Sequence, residues 1–400
     1  MPILKRLHAG ISQQSAGEKY AFALIAPLLI FLGLFFVWPL VTILVESVSD
    51  RAVATALPMT KKAAAQWRPG SVPDVQLQSA FVHDLRALDD QLLGDVVRRL
   101  NSEQPGFRTL MTRTVSAIRK QDGEVDLSAI DRRWTRAEYW RVLIGALAPY
   151  SVRNLLAAVD LERDPSGSIS SVAGGESANR AILLRTIFIS LLVTCACALL
   201  GLPYAIVLAA STGWLKRVLL GAVLLPLWTS LLVRTAAWYV LLQDRGIINE
   251  MLISLGVISN PIPLMFNRLG VVIAMTHVLL PFMVLPIYSV LVSIPPNLMP
   301  AAASLGARPL VAFWRVLLPL SMRGVTSGAL LVFMAAIGYY ITPALIGGPN
   351  DQMISSVIAF YAMGSANWGM ASALGIILLV VTLALYAVYS RFSEETPAVG

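Results

Sequence analysis

The chain has 400 residues, of which 56% are hydrophobic and only 14% charged, against the roughly half apolar and quarter charged balance of ordinary soluble domains. A formal charge of +8 raises the question of nucleic acid, but topology accounts for many of the basic residues, and no nucleic-acid partner is expected. Cys195 and Cys197 are the only cysteines, and their spacing points them to different helix faces, which excludes a disulfide framework and a metal pair.

Tyr20 to Val45, Thr186 to Leu215 and Gly324 to Asn350 each lack Asp, Glu, Lys and Arg. Crossing hydrocarbon takes about 20 apolar residues as a helix, and unbroken Leu/Val/Ile/Ala runs do not suit a barrel, whose strands alternate. The expected fold is an all-α membrane protein with six transmembrane helices near 20–45, 184–210, 217–241, 270–293, 324–345 and 370–390. Lys5, Arg6 and Lys19 precede an apolar run too long for a signal-peptide core, so residues 1–48 read as a cytoplasmic N-terminus and an uncleaved first span. With that end inside, the short inner segments hold Lys216, Arg217, Arg308, Arg315, Arg323 and Arg391, and the short outer loops only Arg245 and Arg268. The positive-inside rule then puts both termini in the cytoplasm, with residues 394–400 as an inner tail.

Residues 49–180 fall outside as a helical extracytoplasmic insertion. Phe81, Leu85, Leu88, Leu92 and Val96 recur at helical spacing, as do Phe107, Leu110, Met111, Thr114 and Ile118. Thr135 and Glu138 have capping-box spacing before Tyr139, and Ser151 is placed to cap a helix through Leu155–Val159. One histidine, His83, and no cysteine leave no metal site, so the insertion reads as a packing or docking module. Pro165 to Gly175 reads as a flexible link back to the membrane core, residues 181–393.

Within that core the inner loop 295–323 holds the densest signal. Pro295-Pro296 disfavour continuing the fourth span, and Pro300 is tolerable only in the first turn of a new helix, placed from about Leu298 to Leu305. Ala301, Ala302 and Ala303 give that helix a smooth surface, Gly306 can end it at positive φ, and Pro309 stops its return. Phe313, Val316 and Leu317 then share one face of a second helix leading to Pro319.

The segment Pro295-Pro-Asn-Leu-Met-Pro-Ala-Ala-Ala-Ser-Leu-Gly-Ala307, followed by Phe313-Trp-Arg-Val-Leu-Leu-Pro-Leu320, resembles the EAA loop of binding-protein-dependent type I ABC importer permeases. The resemblance extends through Leu227-Trp-Thr-Ser-Leu-Leu-Val-Arg-Thr-Ala-Ala-Trp238, Gly246-Ile-Ile-Asn249, Leu280-Pro-Phe-Met-Val-Leu-Pro-Ile-Tyr288 and Leu345-Ile-Gly-Gly348, and is nearest to the spermidine/putrescine branch. It covers about residues 182–390 and the first span; the insertion resembles nothing named. It implies an inner-membrane permease subunit that pairs with a second permease, two cytoplasmic ATPase subunits and a periplasmic substrate-binding protein. ATP and Mg would sit on the ATPase, and this chain would bind no cofactor and catalyse nothing. ATPase coupling falls by resemblance on Pro300, Ala301, Ala302, Leu305, Gly306 and Ala307, with Pro300 standing where the pattern has Glu. The solute implied is a small cation of polyamine type; an amino-acid-like compound is the alternative, and a stand-alone secondary transporter a further one.

No P-loop, nucleophile elbow or His-Glu-x-x-His pair is present. From residue 182 the acids are Asp244, Glu250, Asp351, Glu394 and Glu395, none deep in a span, so a polycation would rely on ring faces, for which Trp228, Trp238, Tyr339 and Tyr340 are the candidates. Arg234 is an intramembrane charge expected to serve structure, paired with Asp244 or the partner permease or snorkelling outward. His277 reads as a hydrogen-bonded packing residue.

Overall fold

The computed structural model describes residues 24–67, 72–121, 123, 125–163, 168–171, 178–365 and 367–394. The chain divides into two compact units, Met1–Leu155 and Leu156–Gly400, each with its own core.

In the first unit, α1 (Leu24–Val48) is long and apolar enough to cross a membrane, with a π-helical turn at Gly33–Val37. Residues 20–23 of that expected span lie outside the described residues. The chain leaves and re-enters at one place: Asp50 N–H donates to Pro149 O at 3.0 Å and Ser151 N–H to Val48 O at 2.8 Å. Between these points lie α2 (Arg51–Ala56), α3 (Pro58–Ala63), α4 (Val75–Ala87), α5 (Asp90–Asn101), α6 (Phe107–Ile118), α7 (Leu127–Ile130) and α8 (Ala137–Gly145). Phe81, Phe107, Trp134 and Trp140 fill the centre, with Trp134 and Trp140 ring centroids 4.9 Å apart. The indole N–H groups are satisfied inside, Trp134 by Thr114 Oγ1 and Trp140 by Trp134 O, both at 2.9 Å, as buried donors require.

Three expectations change here. The Phe81–Val96 periodicity spans two helices, because Asp89 caps α5 through Leu92 N–H at 2.7 Å and breaks the chain after Leu88; Leu92 is exposed. Thr135 forms no capping box: it lies in a 3-10 turn, its hydroxyl donates to Arg132 O, and Arg136 occupies the cap position. Within the Pro165–Gly175 link, Ile169–Ser171 (β2) pairs antiparallel with Leu161–Arg163 (β1); residues 164–167 and 172–177 lie outside the described residues. Ser151 does accept from Arg153 N–H, at 3.2 Å, at the start of α9 (Arg153–Ala158).

Charge pairs lace the first unit. Arg99 grips Asp50 at 2.5 Å and Glu103 at 2.7 Å. Hydrogen bonding from the Arg133 side chain holds the half-buried Asp131 carboxyl down at about 2. That folded value lies below the ordinary 3.8, so the stabilisation is complete above about pH 4 and disappears as pH falls toward 2. In the full-length protein, Asp131→Asn should therefore flatten the loss of the buried-tryptophan near-UV signal between pH 4 and 2; an unchanged acid limb would refute the assignment.

The second unit is a helix bundle. α10 (Ala178–Ala210) begins where Asn179 and Arg180 N–H groups donate to the Asp160 carboxylate at 3.1 and 2.7 Å, a cap supplied from upstream of β1. α14 (Arg268–Ser293) is the most enclosed span and packs against α10 and against α16 (Pro309–Ile337). The path from α10 to α14 runs through α11 (Gly213–Trp228), α12 (Leu231–Leu241) and α13 (Ile247–Ser254), then α15 (Leu298–Ser304) leads into α16, and α17 (Ile341–Ile346), α18 (Ile354–Gly364) and α19 (Trp368–Glu394) complete the chain.

Two of the six expected spans are interrupted. The third, placed at 217–241, is α11 and α12 bent by 104° at Thr229-Ser230, three residues after Pro226. The fifth, placed at 324–345, begins far earlier, at Pro309, and ends at Ile337; residues 341–346 form the separate α17. Among the described residues five helices are long and apolar enough to cross, and the bent pair makes a sixth.

Candidate functional site

The loop after α14 folds into the compact hook that its spacing implies. Asn297 starts α15, and Ala301 N–H makes the first helical bond to Asn297 O at 2.9 Å. Pro300 is the third residue of that helix, where a backbone N–H would have no intrahelical acceptor, so its missing donor breaks no bond. Gly306 has φ +82°, donates to Ala303 O at 2.9 Å, and Ala307 donates to Ala302 O at 3.0 Å. This pair of bonds is a Schellman cap, which consumes the last carbonyls of α15 and turns the chain sharply. Pro309 does not merely prevent the helix from returning: it occupies the first turn of α16, where a fixed φ is favourable. The second helix expected to lead only to Pro319 runs unbroken into the span, with a π-helical turn at Phe313–Leu317. A four-residue turn, Leu305–Arg308, is all that separates the hook from the membrane helix.

No residue of α15 is buried. Leu305 is 89% exposed, Leu310 70% and Trp314 60%, three large apolar side chains within ten residues.

The second group of candidates surrounds the bent pair. Trp238 Nε1–H donates to His277 Nδ1 at 3.1 Å, with ring centroids 5.4 Å apart. The Thr235 and Thr342 hydroxyls meet at 3.2 Å in a buried contact between α12 and α17. Arg234 precedes Thr235 on α12, and Tyr339 lies two residues before α17. Arg234 Nε is buried without a hydrogen-bond partner. Arg234 makes no ion pair with Asp244 among the described residues, so that expected pairing is not found. Trp228 is 83% exposed and Tyr340 also exposed, and neither has a ring contact among the described residues; the four aromatic candidates do not form one lining.

Other quoted segments serve geometry. The buried Asn249 side chain donates to Gln243 O and Ile262 O and accepts from Ile262 N–H, pinning the loop around α13. A Cβ on Gly348 would lie 2.6 Å from Phe266 O, so this strand of backbone must stay bare. Arg268 and Asp351 close the same corner at 3.1 Å.

Sequence reasoning passed over Gly324-Val-Thr-Ser-Gly328. A Cβ at Gly324 would lie 2.8 Å from Ile287 Cα, and at Gly328 3.0 Å from Met283 O. The small-xxx-small spacing was the available signal for this backbone-to-backbone crossing of α16 on α14.

Residues 201–395 match the family described as binding-protein-dependent transport system inner membrane component. The spermidine/putrescine transport system permease protein PotB of Escherichia coli strain K12 is 36% identical over 213 residues, covering 53% of this chain and 78% of that one. The chain belongs to this permease family. It is a non-catalytic, multi-pass inner-membrane subunit of an ABC importer. Another member, the molybdenum transport system permease protein ModB of Mycobacterium bovis, is 32% identical over 204 residues, covering 51% of this chain and 75% of that one. A bacterial alginate ABC transporter, solved in complex with an alginate pentasaccharide-bound periplasmic protein, is 19% identical with a TM-score of 0.43, covering 54% of this chain and 78% of that one.

Proposed function

We propose that this permease moves a polyamine of the spermidine/putrescine type, inward, as one half of a two-permease pathway. The observation that carries the solute class is the 36% identity to PotB, maintained over 213 residues. A periplasmic binding protein delivers the solute, and two ATPase subunits that hold ATP and Mg work from the cytoplasm, where both termini of this chain lie. The α15 hook, with Pro300, Ala301, Ala302, Leu305, Gly306 and Ala307, seats in the ATPase, and the short turn that joins it to α16 carries the movement into the bundle. Each ligand then shifts the inward–outward equilibrium only by its differential affinity for the two states.

Co-purification tests this reading. An ATPase and a second permease should accompany the chain, ATP turnover should rise with solute-loaded binding protein, and radiolabelled spermidine should accumulate in vesicles. Solute flux through the lone purified chain would overturn it. A loaded receptor that binds an amino acid and excludes polyamines would retain the importer and replace the solute. Leu305→Glu puts a charge on the most exposed apolar side chain of the hook. It should lower ATPase recovery about tenfold or more while membrane insertion stays normal, as loss of a central apolar anchor does at interfaces; undiminished recovery would remove Leu305 from the docking face.

A further inference from the structure

Arg234 is half-buried on α12, beside the buried Thr235 and one helical turn before Trp238, which donates to His277. Its Nε is enclosed without a partner, and among the described residues no hydrogen bond or ion pair reaches its guanidinium. Asp351 holds Arg268, Asp160 caps α10, and neither Asp244, beyond the end of α12, nor Glu250 on α13 pairs with Arg234 among the described residues. The residue is nevertheless partly exposed, and the neighbouring Leu232 and Val233 are exposed apolar side chains. A charged group so placed, on an apolar membrane helix, belongs against protein or water rather than lipid.

We propose that Arg234 is neutralised across the permease–permease interface by a carboxylate on a membrane helix of the second permease subunit. This rests on the reading that the chain works in such a pair. The desolvation cost of the guanidinium is present in every state of the transport cycle, so its counter-charge must be equally permanent. A transported solute visits too briefly to supply it, and a cationic solute would be repelled by the bare guanidinium. Once paired, the same residue opposes cation passage far less and fixes the register of the two subunits.

The test uses the intact complex of both permeases and the ATPase in nanodiscs. Arg234→Glu should weaken recovery of the second permease on the order of 100-fold, the effect of breaking a buried pair. Changing one intramembrane Asp or Glu of the second permease to Arg should restore it. Should Arg234→Glu fail to fold, Arg234→Gln combined with neutralisation of each such acid gives the same answer, because the true partner shows losses that are not additive. The proposal is overturned if no acid of the second permease rescues or couples. It is equally overturned if Arg234→Gln assembles as wild type while uptake or lipid dependence changes, which would assign the counter-charge to solute or lipid headgroup. Recovery of no second permease with the unaltered chain would instead defeat the pairing itself, before Arg234 is touched.

Discussion

Gly328→Leu should strongly destabilise the membrane unit. A Cβ at this position already meets Met283 O at 3.0 Å and Met283 Cα at 3.1 Å, so the obstacle is backbone and cannot rotate away. Separating α16 from α14 would open the crossing at the centre of the bundle, where Met283, Val284, Ile287 and Val332 are all buried. Overpacking a well-filled core costs about 1–3 kcal/mol, and a backbone clash belongs at or above the top of that range. Against a total stability of about 5–15 kcal/mol this removes a fifth to more than half, so the variant should lose its fold well below the temperature at which the native chain does. Detergent-solubilised chain heated stepwise and monitored by size exclusion should lose its monodisperse peak at a lower temperature than the native chain, and Gly324→Val should act in the same way. Gly221→Leu is the control, since nothing lies within 4 Å of its Cβ and the residue is exposed. Equal behaviour of Gly221→Leu and Gly328→Leu would show that bulk alone, and not the crossing, is responsible.

Gly306→Arg is expected to act oppositely, leaving the protein folded and inserted but ending uptake. No atom lies within 4 Å of a Cβ at Gly306, so no packing is broken. The left-handed φ of +82° costs a non-glycine residue about 1–2 kcal/mol, and the added side chain projects from the hook beside Leu305. The Schellman cap is local, so its loss unwinds a turn of α15 without reaching the bundle. Binding-protein-stimulated ATP turnover and spermidine uptake should fall together in reconstituted complex. Gly306→Asn, which tolerates the left-handed region, should retain much more of both. Normal uptake in Gly306→Arg would remove the hook from the coupling path.

The sequence by itself determined the membrane class and the hook. Uncharged runs such as Thr186–Leu215 admit only helices, because backbone polar groups in lipid must be satisfied within the segment. Pro295-Pro296, Pro300 and Gly306 act through their own φ and missing N–H groups, so the short helix and its end were legible without any knowledge of neighbours. The family resemblance was legible for the same reason, since its residues are local punctuation at fixed spacing.

Tertiary structure decided what depends on partners distant in sequence. Hydropathy alone does not distinguish one span from two helices bent at Thr229-Ser230, because both halves are apolar and the bend leaves composition unchanged. The run Phe81–Val96 keeps helical spacing across a helix break, because Asp89 caps its own downstream helix whatever apolar pattern surrounds it. Arg234 shows the limit most sharply: composition announced a costly charge, yet its neighbours Trp238, His277 and Tyr339 come from three segments brought together only by the bundle. Local conformational preference is written residue by residue, whereas the environment of a side chain is set by whichever helices pack against it.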